Sequence, residues 1–141
     1  MNTGTVHNHT LSEAGIEWCF AKARRSLRDA RDSRLSPSRR YQCAYDAALQ
    51  CALAFAAATN NPIAFEAHSH RAVFVHLLNG LSVAATVWYT TTVWVNHQYL
   101  ARQLGPSVTD EAVAECATRW AALLHAATAE RLTKRRGVAQ L

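Results

Sequence analysis

The feature that most constrains this chain is the stretch from Ala72 to Ala101, which contains no Asp, Glu, Lys or Arg. About 20 apolar residues suffice to cross a bilayer, so an uncharged stretch of this length first suggests a membrane span. Its content argues against one, because polar side chains recur within it: Thr86, Thr90, Thr91, Thr92, Asn96, His97 and Gln98. Such groups need partners that lipid does not supply. We therefore expect no membrane span, but burial in a protein core or at a subunit interface.

Local propensity and length disagree over the second half of this stretch. β-Branched residues are frequent between Ser82 and Leu104 and favour strands, but no turn signal interrupts them. A strand of that length needs partner strands, and the chain has no second convincing strand pattern. The sequence therefore predicts a helix over 82–104, preceded by a short helix over about 65–78 that closes at Asn79-Gly80.

The N-terminal half predicts two long helices. Thr10 and Glu13 match a capping box, and apolar residues then recur at three- and four-residue steps. Ser36-Pro37 marks a second start, because serine caps helices and proline is tolerated at the first helical position. Asn60-Asn61-Pro62 ends this helix near Thr59.

The C-terminal part predicts one further long helix. Gly105-Pro106 separates it from the preceding helix, and either Ser107 with Asp110 or Thr109 with Glu111 caps its start. The apolar pattern then continues to about Arg136.

These elements predict one all-α domain over residues 11–136, with a flexible N-terminus (1–10) and a fraying tail (137–141). A chain of 141 residues that is 50% hydrophobic can bury one core. Short connections favour an antiparallel helical bundle of four long helices and one short helix.

Cysteine usage and the N-terminus predict a cytoplasmic protein. The cysteines form no Cys-x-x-Cys pair and no His/Cys metal spacing, which favours free thiols: Cys19, Cys43, Cys51 and Cys116. Residues 1–10 lack the apolar core of a signal peptide. We expect no metal and no cofactor.

Arg71 and His76 form the pattern Arg-x4-His and are the candidate catalytic residues. If both flank one RNA phosphate, His76 can exchange a proton with the ribose 2′-hydroxyl while Arg71 stabilises charge on the phosphate. Five residues turn a helix by roughly 500°, which leaves the two side chains about 140° apart. One shared site therefore needs a distorted helix, the reach of Arg71, or a second subunit.

Further candidates lie on either side of this motif. His68 and His70 can bind metal or phosphate, or can simply be solvated side chains at a helix start. On the following helix Asn96, His97 and Tyr99 can line a cleft, or they can be polar residues packed at a helix interface.

More than half of the basic residues lie between Lys22 and Arg40, in a chain of net charge +5. A surface of this kind attracts phosphate without sequence preference and is weakened by salt. The candidate nucleic-acid-binding residues are Arg24, Arg25, Arg28, Arg39 and Arg40. The alternative is an arginine-rich helix face that only contacts solvent.

The chain resembles the HEPN family of helical-bundle proteins over most of residues 11–132. The resemblance is carried by an Arg-rich end of the first helix, the segment Pro37-Ser38-Arg39-Arg40-Tyr41 with its continuation to Ala48, the His68-Ser69-His70 turn, and the start Val108-Thr109-Asp110-Glu111-Ala112.

The resemblance implies an RNA-engaging protein. Many HEPN proteins are homodimers that cleave RNA without metal, through Arg and His from both protomers, and serve in toxin–antitoxin modules or in defence against phage. Arg71 and His76 would then be the ribonuclease residues. Val95 stands where an Arg is expected in similar small bacterial proteins, which favours lost or altered catalysis. The alternative is a catalytically inactive module that uses the uncharged stretch to dimerise or to bind a cognate protein, as an antitoxin or accessory subunit.

Overall fold

The computed structural model describes residues 13–60 and 70–140, and over these ranges it contains five α-helices and no strand. The helices are α1 (Glu13–Ala30), α2 (Pro37–Ala58), α3 (His70–Leu81), α4 (Ala85–Leu104) and α5 (Glu111–Gln140), with a 3₁₀ turn at Pro106–Val108 before α5. The helices pack as a bundle. This confirms the all-α class and the four long helices with one short helix.

α2 is the central helix and packs against α1, α3 and α5. Ser36 caps its start by accepting a hydrogen bond from the backbone N–H of Arg39 at 3.2 Å, as the sequence predicts. Small residues fill most of its buried surface, including Ala44, Ala47, Ala48, Cys51 and Ala52. Because small side chains allow backbones to approach closely, α2 is buried on most of its circumference.

Aromatic residues join α2 to α3, α4 and α5 in the middle of the bundle. The rings of Tyr45, Phe74 and Trp120 lie 5.7–6.2 Å apart, and the Trp94 ring lies 6.0 Å from Tyr41. The Tyr41 hydroxyl donates to the backbone oxygen of Trp94 at 2.9 Å. Such pairs add to the apolar burial and fix α4 against the core.

The structure corrects the predicted end of the third helix. α3 continues through Asn79-Gly80 to Leu81, and Ser82 follows with a φ of 52°. A Cβ atom on Gly80 would lie 2.3 Å from the nearest carbon of the Phe55 ring. The glycine therefore serves close packing of α3 on α2, and not a helix end. The predicted first turn, over 65–69, lies outside the described residues.

The uncharged stretch is helical except at 82–84, which connects α3 to α4. The helix Ala85–Leu104 confirms helix over strand, and it begins three residues later than predicted. Gly105, with a φ of 89°, ends α4 in a conformation that favours glycine. Asp110 then accepts from the backbone N–H of Val113 at 2.8 Å and caps α5. The predicted capping residue Thr10 lies outside the described ranges.

α5 continues past its predicted end at Arg136 to Gln140, so most of the predicted tail is helical. No helix in the ranges 13–60 and 70–140 is both long enough and apolar enough to cross a membrane.

Candidate functional site

Arg71 and His76 lie on different sides of α3 and face different helices. Arg71 is exposed and lines a cavity of about 20 Å³ between α3 and α4, beside Thr92 and Asn96. That volume holds about one water molecule. His76 faces α2, where its Nε2 lies 2.7 Å from the Thr59 hydroxyl and its ring 5.4 Å from that of Phe55. The structure of one chain therefore does not bring the two residues into one site.

The hydrogen bonds of Thr59 assign the proton on His76. The Thr59 hydroxyl lies 2.8 Å from the backbone oxygen of Phe55, which is a suitable acceptor for its single proton. His76 Nε2–H then donates to the Thr59 oxygen. Burial lowers the pKa of His76, which also favours the neutral ring. This hydrogen bond stabilises the C-terminal end of α2 and occupies Nε2 of His76.

His70 lies at the start of α3 and contacts Tyr45 of α2. The Tyr45 hydroxyl and His70 Nδ1 are 2.9 Å apart. Burial raises the pKa of Tyr45 to about 12, so the phenol keeps its proton. Because a phenol is the stronger donor of this pair and an unprotonated imidazole nitrogen the stronger acceptor, we assign the hydroxyl as the donor to Nδ1. Burial, and second the positive charge of Arg102, lower the pKa of His70. The neutral ring therefore carries its own proton on Nε2.

The other cleft candidates do not form one group. His97 Nε2 is 2.9 Å from the Thr109 hydroxyl, and its ring meets Tyr41 edge to face at 4.7 Å. Burial lowers the pKa of His97, with Asp110 opposing. This histidine joins α4 to the connection before α5, whereas Asn96 and Tyr99 are exposed. His68 lies outside the described residues.

Four of the five candidate nucleic-acid-binding arginines are exposed: Arg24, Arg25, Arg28 and Arg39. Arg40 is different, with only 6% of its surface exposed. Its Nε donates to the backbone oxygen of Ala30 at 2.8 Å, and its guanidinium pairs with Glu111 of α5. The expectation that Arg40 belongs to a phosphate-binding surface is corrected, because its donors connect α1, α2 and α5.

A surface that the sequence did not single out runs along α4. Five of the eight exposed large apolar side chains in the described part of the chain belong to this helix. Four of them, with Asn96, follow one another at steps of four, three, four and four residues and so share one helix face. We name this face the outer stripe of α4: Tyr89, Val93, Asn96, Leu100 and Leu104. The spacing of these residues can be read from the sequence. Because burial was expected for the whole uncharged stretch, the sequence did not indicate which face of α4 is exposed.

The inner face of α4 buries polar side-chain atoms, and not all of them have a hydrogen-bond partner among the described residues. Only Thr91, Trp94 and Gln98 are buried on this helix. Trp120 Nε1 donates to the Thr91 hydroxyl at 2.9 Å, but Trp94 Nε1 and Gln98 Oε1 are buried with no hydrogen-bond partner among the described residues. Unsatisfied buried groups cost about 1–3 kcal/mol each, so α4 is held less firmly than its ring contacts suggest.

No three His, Cys, Asp or Glu side chains of the described residues come together in a way that could hold a metal ion. Comparison of the chain with protein-family models, with curated proteins and with solved structures finds no match. The resemblance to HEPN proteins accordingly stays a prediction from sequence motifs.

Proposed function

We propose that this protein is a helical interaction module that forms a homodimer through the outer stripe of α4. The observation that carries the proposal is the exposure of Tyr89, Val93, Leu100 and Leu104, at 74%, 38%, 47% and 64%, on one face of one helix. Exposed apolar side chains that are scattered singly need no explanation, but a continuous row marks an interaction surface.

The order of residues along the stripe suits a second copy in antiparallel orientation. Asn96 lies at its middle, so a two-fold axis there sets Asn96 against Asn96 and Val93 against Leu100 of the other copy. Tyr89 then faces Leu104 in the same way. Apolar residues meet apolar residues, and the two amides can hydrogen-bond and fix the register, a role that buried asparagine has in coiled coils.

Charge also favours this face for self-association. The chain carries a net charge of +5, so most approaches of two copies are opposed by like charge. α4 itself carries no charged residue before Arg102, so the positive charge beside the middle of the stripe is that of Arg71 on α3. In the antiparallel arrangement the two Arg102 side chains lie near opposite ends of a contact about 22 Å long. An interface made by one helix face from each copy is at the small end of stable interfaces, where association is weak, so we expect a dissociation constant of about micromolar order.

Sedimentation velocity over a concentration series tests the proposal. The wild-type chain is expected to dimerise, and Val93→Glu with Leu100→Glu to stay monomeric, because charges would be buried without partners. Trp18→Glu is the matched control, since Trp18 is 58% exposed on α1 and lies off the stripe. The proposal would be contradicted by a monomeric wild type or by a dimer that persists in the double variant. It would also be contradicted if the chain associates only with a different protein and never with itself.

A second function, the engagement of RNA or another nucleic acid, is favoured by the exposed arginines of α1. Arg24, Arg25 and Arg28 lie within little more than one helical turn, and none forms an ion pair with the described residues. The HEPN-like motifs favour RNA as the polymer. Cleavage through Arg71 and His76 would need two copies, because the two residues face different helices of one chain.

Two measurements test this second function. Binding to single-stranded RNA is expected to weaken steeply with salt and to be lost when Arg24, Arg25 and Arg28 are replaced by Gln. Incubation of RNA in EDTA tests metal-independent cleavage, with Arg71→Ala and His76→Ala as variants. RNA binding that these three arginines do not affect would refute the basic surface. Cleavage that both alanine variants retain would exclude the motif as the catalyst.

A further inference from the structure

We propose that the end of the bundle where α3 begins is a binding site for a phosphate oxyanion, formed by His70, Arg71 and Arg102. The site is separate from the basic face of α1, but Arg71 is shared with the proposed cleavage motif and lies beside Asn96 of the outer stripe. It needs neither a dimer nor RNA cleavage, because all three side chains belong to one chain. Its three side chains come from two helices that the fold sets side by side.

The antiparallel packing of α3 and α4 brings these residues together. The two helices are joined by a short connection, so the start of α3 lies beside the second half of α4. Arg71 contacts the same small cavity as Val95 and Asn96. Arg102 follows Val95 by seven residues, or two helical turns, and so lies on the same side of α4. Its charge acts on both His70 and Tyr45.

Every group in this cluster is oriented or charged as a donor. The Tyr45 hydroxyl occupies Nδ1 of His70, which leaves the proton of the neutral ring on Nε2. Arg71 and Arg102 are exposed guanidinium groups, and guanidinium has donors only. Donor side chains of this kind at neighbouring positions of two helices suit the oxygens of a phosphate, which Arg binds through two parallel hydrogen bonds.

No described carboxylate neutralises the cluster. The ion pairs among the described side chains involve Arg34, Arg40 and Lys134, and none includes Arg71 or Arg102. Burial first, and the charge of Arg102 second, lower the pKa of His70, and no acidic group of the described residues opposes this lowering. The contrast with Arg40, which is buried and paired with Glu111, indicates that these two arginines do not serve the packing of the bundle.

Phosphate titration followed by NMR of the His70 ring tests the site. Inorganic phosphate is added at constant ionic strength, with chloride as the balancing anion. We expect saturable changes at His70 and a rise in its pKa, because a bound anion stabilises the imidazolium. Arg102→Gln is expected to weaken binding about tenfold, the loss of one charge-assisted hydrogen bond. Arg119→Gln, an exposed arginine of α5, is the matched control and should bind as the wild type does.

Two further ligands separate the sources of the phosphate group. A nucleoside 5′-monophosphate carries a monoester, and a dinucleoside monophosphate carries only a diester; tighter binding of one or the other assigns the natural group. Equal changes with chloride alone would overturn the proposal. So would equal phosphate affinity of the Arg102→Gln and Arg119→Gln variants, or binding that perturbs α1 and leaves His70 unchanged.

Discussion

Replacing Gly80 by Ala separates two opposite expectations for α3. In a helix interior alanine is more favourable than glycine by about 1 kcal/mol, so helix propensity alone predicts a more stable protein. The structure predicts the reverse, because a Cβ atom at position 80 would lie 2.3 and 2.4 Å from two carbons of the Phe55 ring. Phe55 is only 4% exposed and packs against His76, so its ring has little room to move.

The expected magnitude follows from these two opposing effects. Overpacking of a buried site costs about 1–3 kcal/mol. After subtraction of the propensity gain, Gly80→Ala should lower the free energy of unfolding by up to about 2 kcal/mol, measured by urea unfolding with circular dichroism. The second variant is Phe55→Leu, alone and combined with Gly80→Ala. Since a smaller side chain removes the clash, Gly80→Ala should cost less in that background, with a coupling of about 1 kcal/mol. An increase in stability of about 1 kcal/mol for Gly80→Ala alone would refute the close packing of α3 on α2.

Three further predictions concern buried polar groups, each measured by urea unfolding. Arg40→Met should lower the free energy of unfolding by about 3 kcal/mol, because the Ala30 oxygen loses its donor and Glu111 loses its buried partner. Glu111→Gln should lower it by about 1 kcal/mol or less, because the Glu111 side chain is 63% exposed. A larger loss for Glu111→Gln than for Arg40→Met would contradict this ranking. Gln98→Met should raise stability by about 1 kcal/mol, since Gln98 Oε1 is buried and has no partner within residues 13–60 and 70–140. A loss of that size would indicate that the oxygen is hydrogen-bonded. Stability should fall as the pH drops below about 6.5, because burial lowers the pKa of four histidines in the folded chain, His70, His76, His97 and His125, so the unfolded chain binds these protons first. His125→Phe, which keeps the ring contact with Phe20, should make the free energy of unfolding depend less on pH. An unchanged pH profile would contradict the contribution of His125.

Where local chemistry decides the backbone, the sequence was sufficient to predict the fold. Ser36-Pro37 begins α2 and Gly105 ends α4, because a capping hydroxyl and a positive φ act over a few residues. The preference for helix over strand in 82–104 was also correct, since an isolated long strand has no partners. The predicted end of α3 was wrong because Gly80 does not mark a helix end. A glycine is needed there because the Phe55 ring, 25 residues away in the sequence, leaves no room for a Cβ atom.

The candidate site was less predictable, because side-chain partners depend on which helices meet. Arg40 resembled its exposed neighbour Arg39 in the sequence, yet it is buried between α1 and α5. The angular separation of Arg71 and His76 on a helix was predictable, and the structure shows the different neighbours that follow from it. The outer stripe could have been found from its spacing, but only the packed bundle shows which face of α4 is exposed.

The central claim is that two copies meet along the outer stripe of α4, and the most direct test is isotope-filtered NMR on a mixture of labelled and unlabelled chains. The arrangement predicts intermolecular contacts between the methyl groups of Val93 and Leu100, with Asn96 next to its counterpart. The absence of intermolecular contacts at concentrations well above the micromolar range would contradict the claim. Contacts confined to another surface, such as that around Trp18 on α1, would do the same.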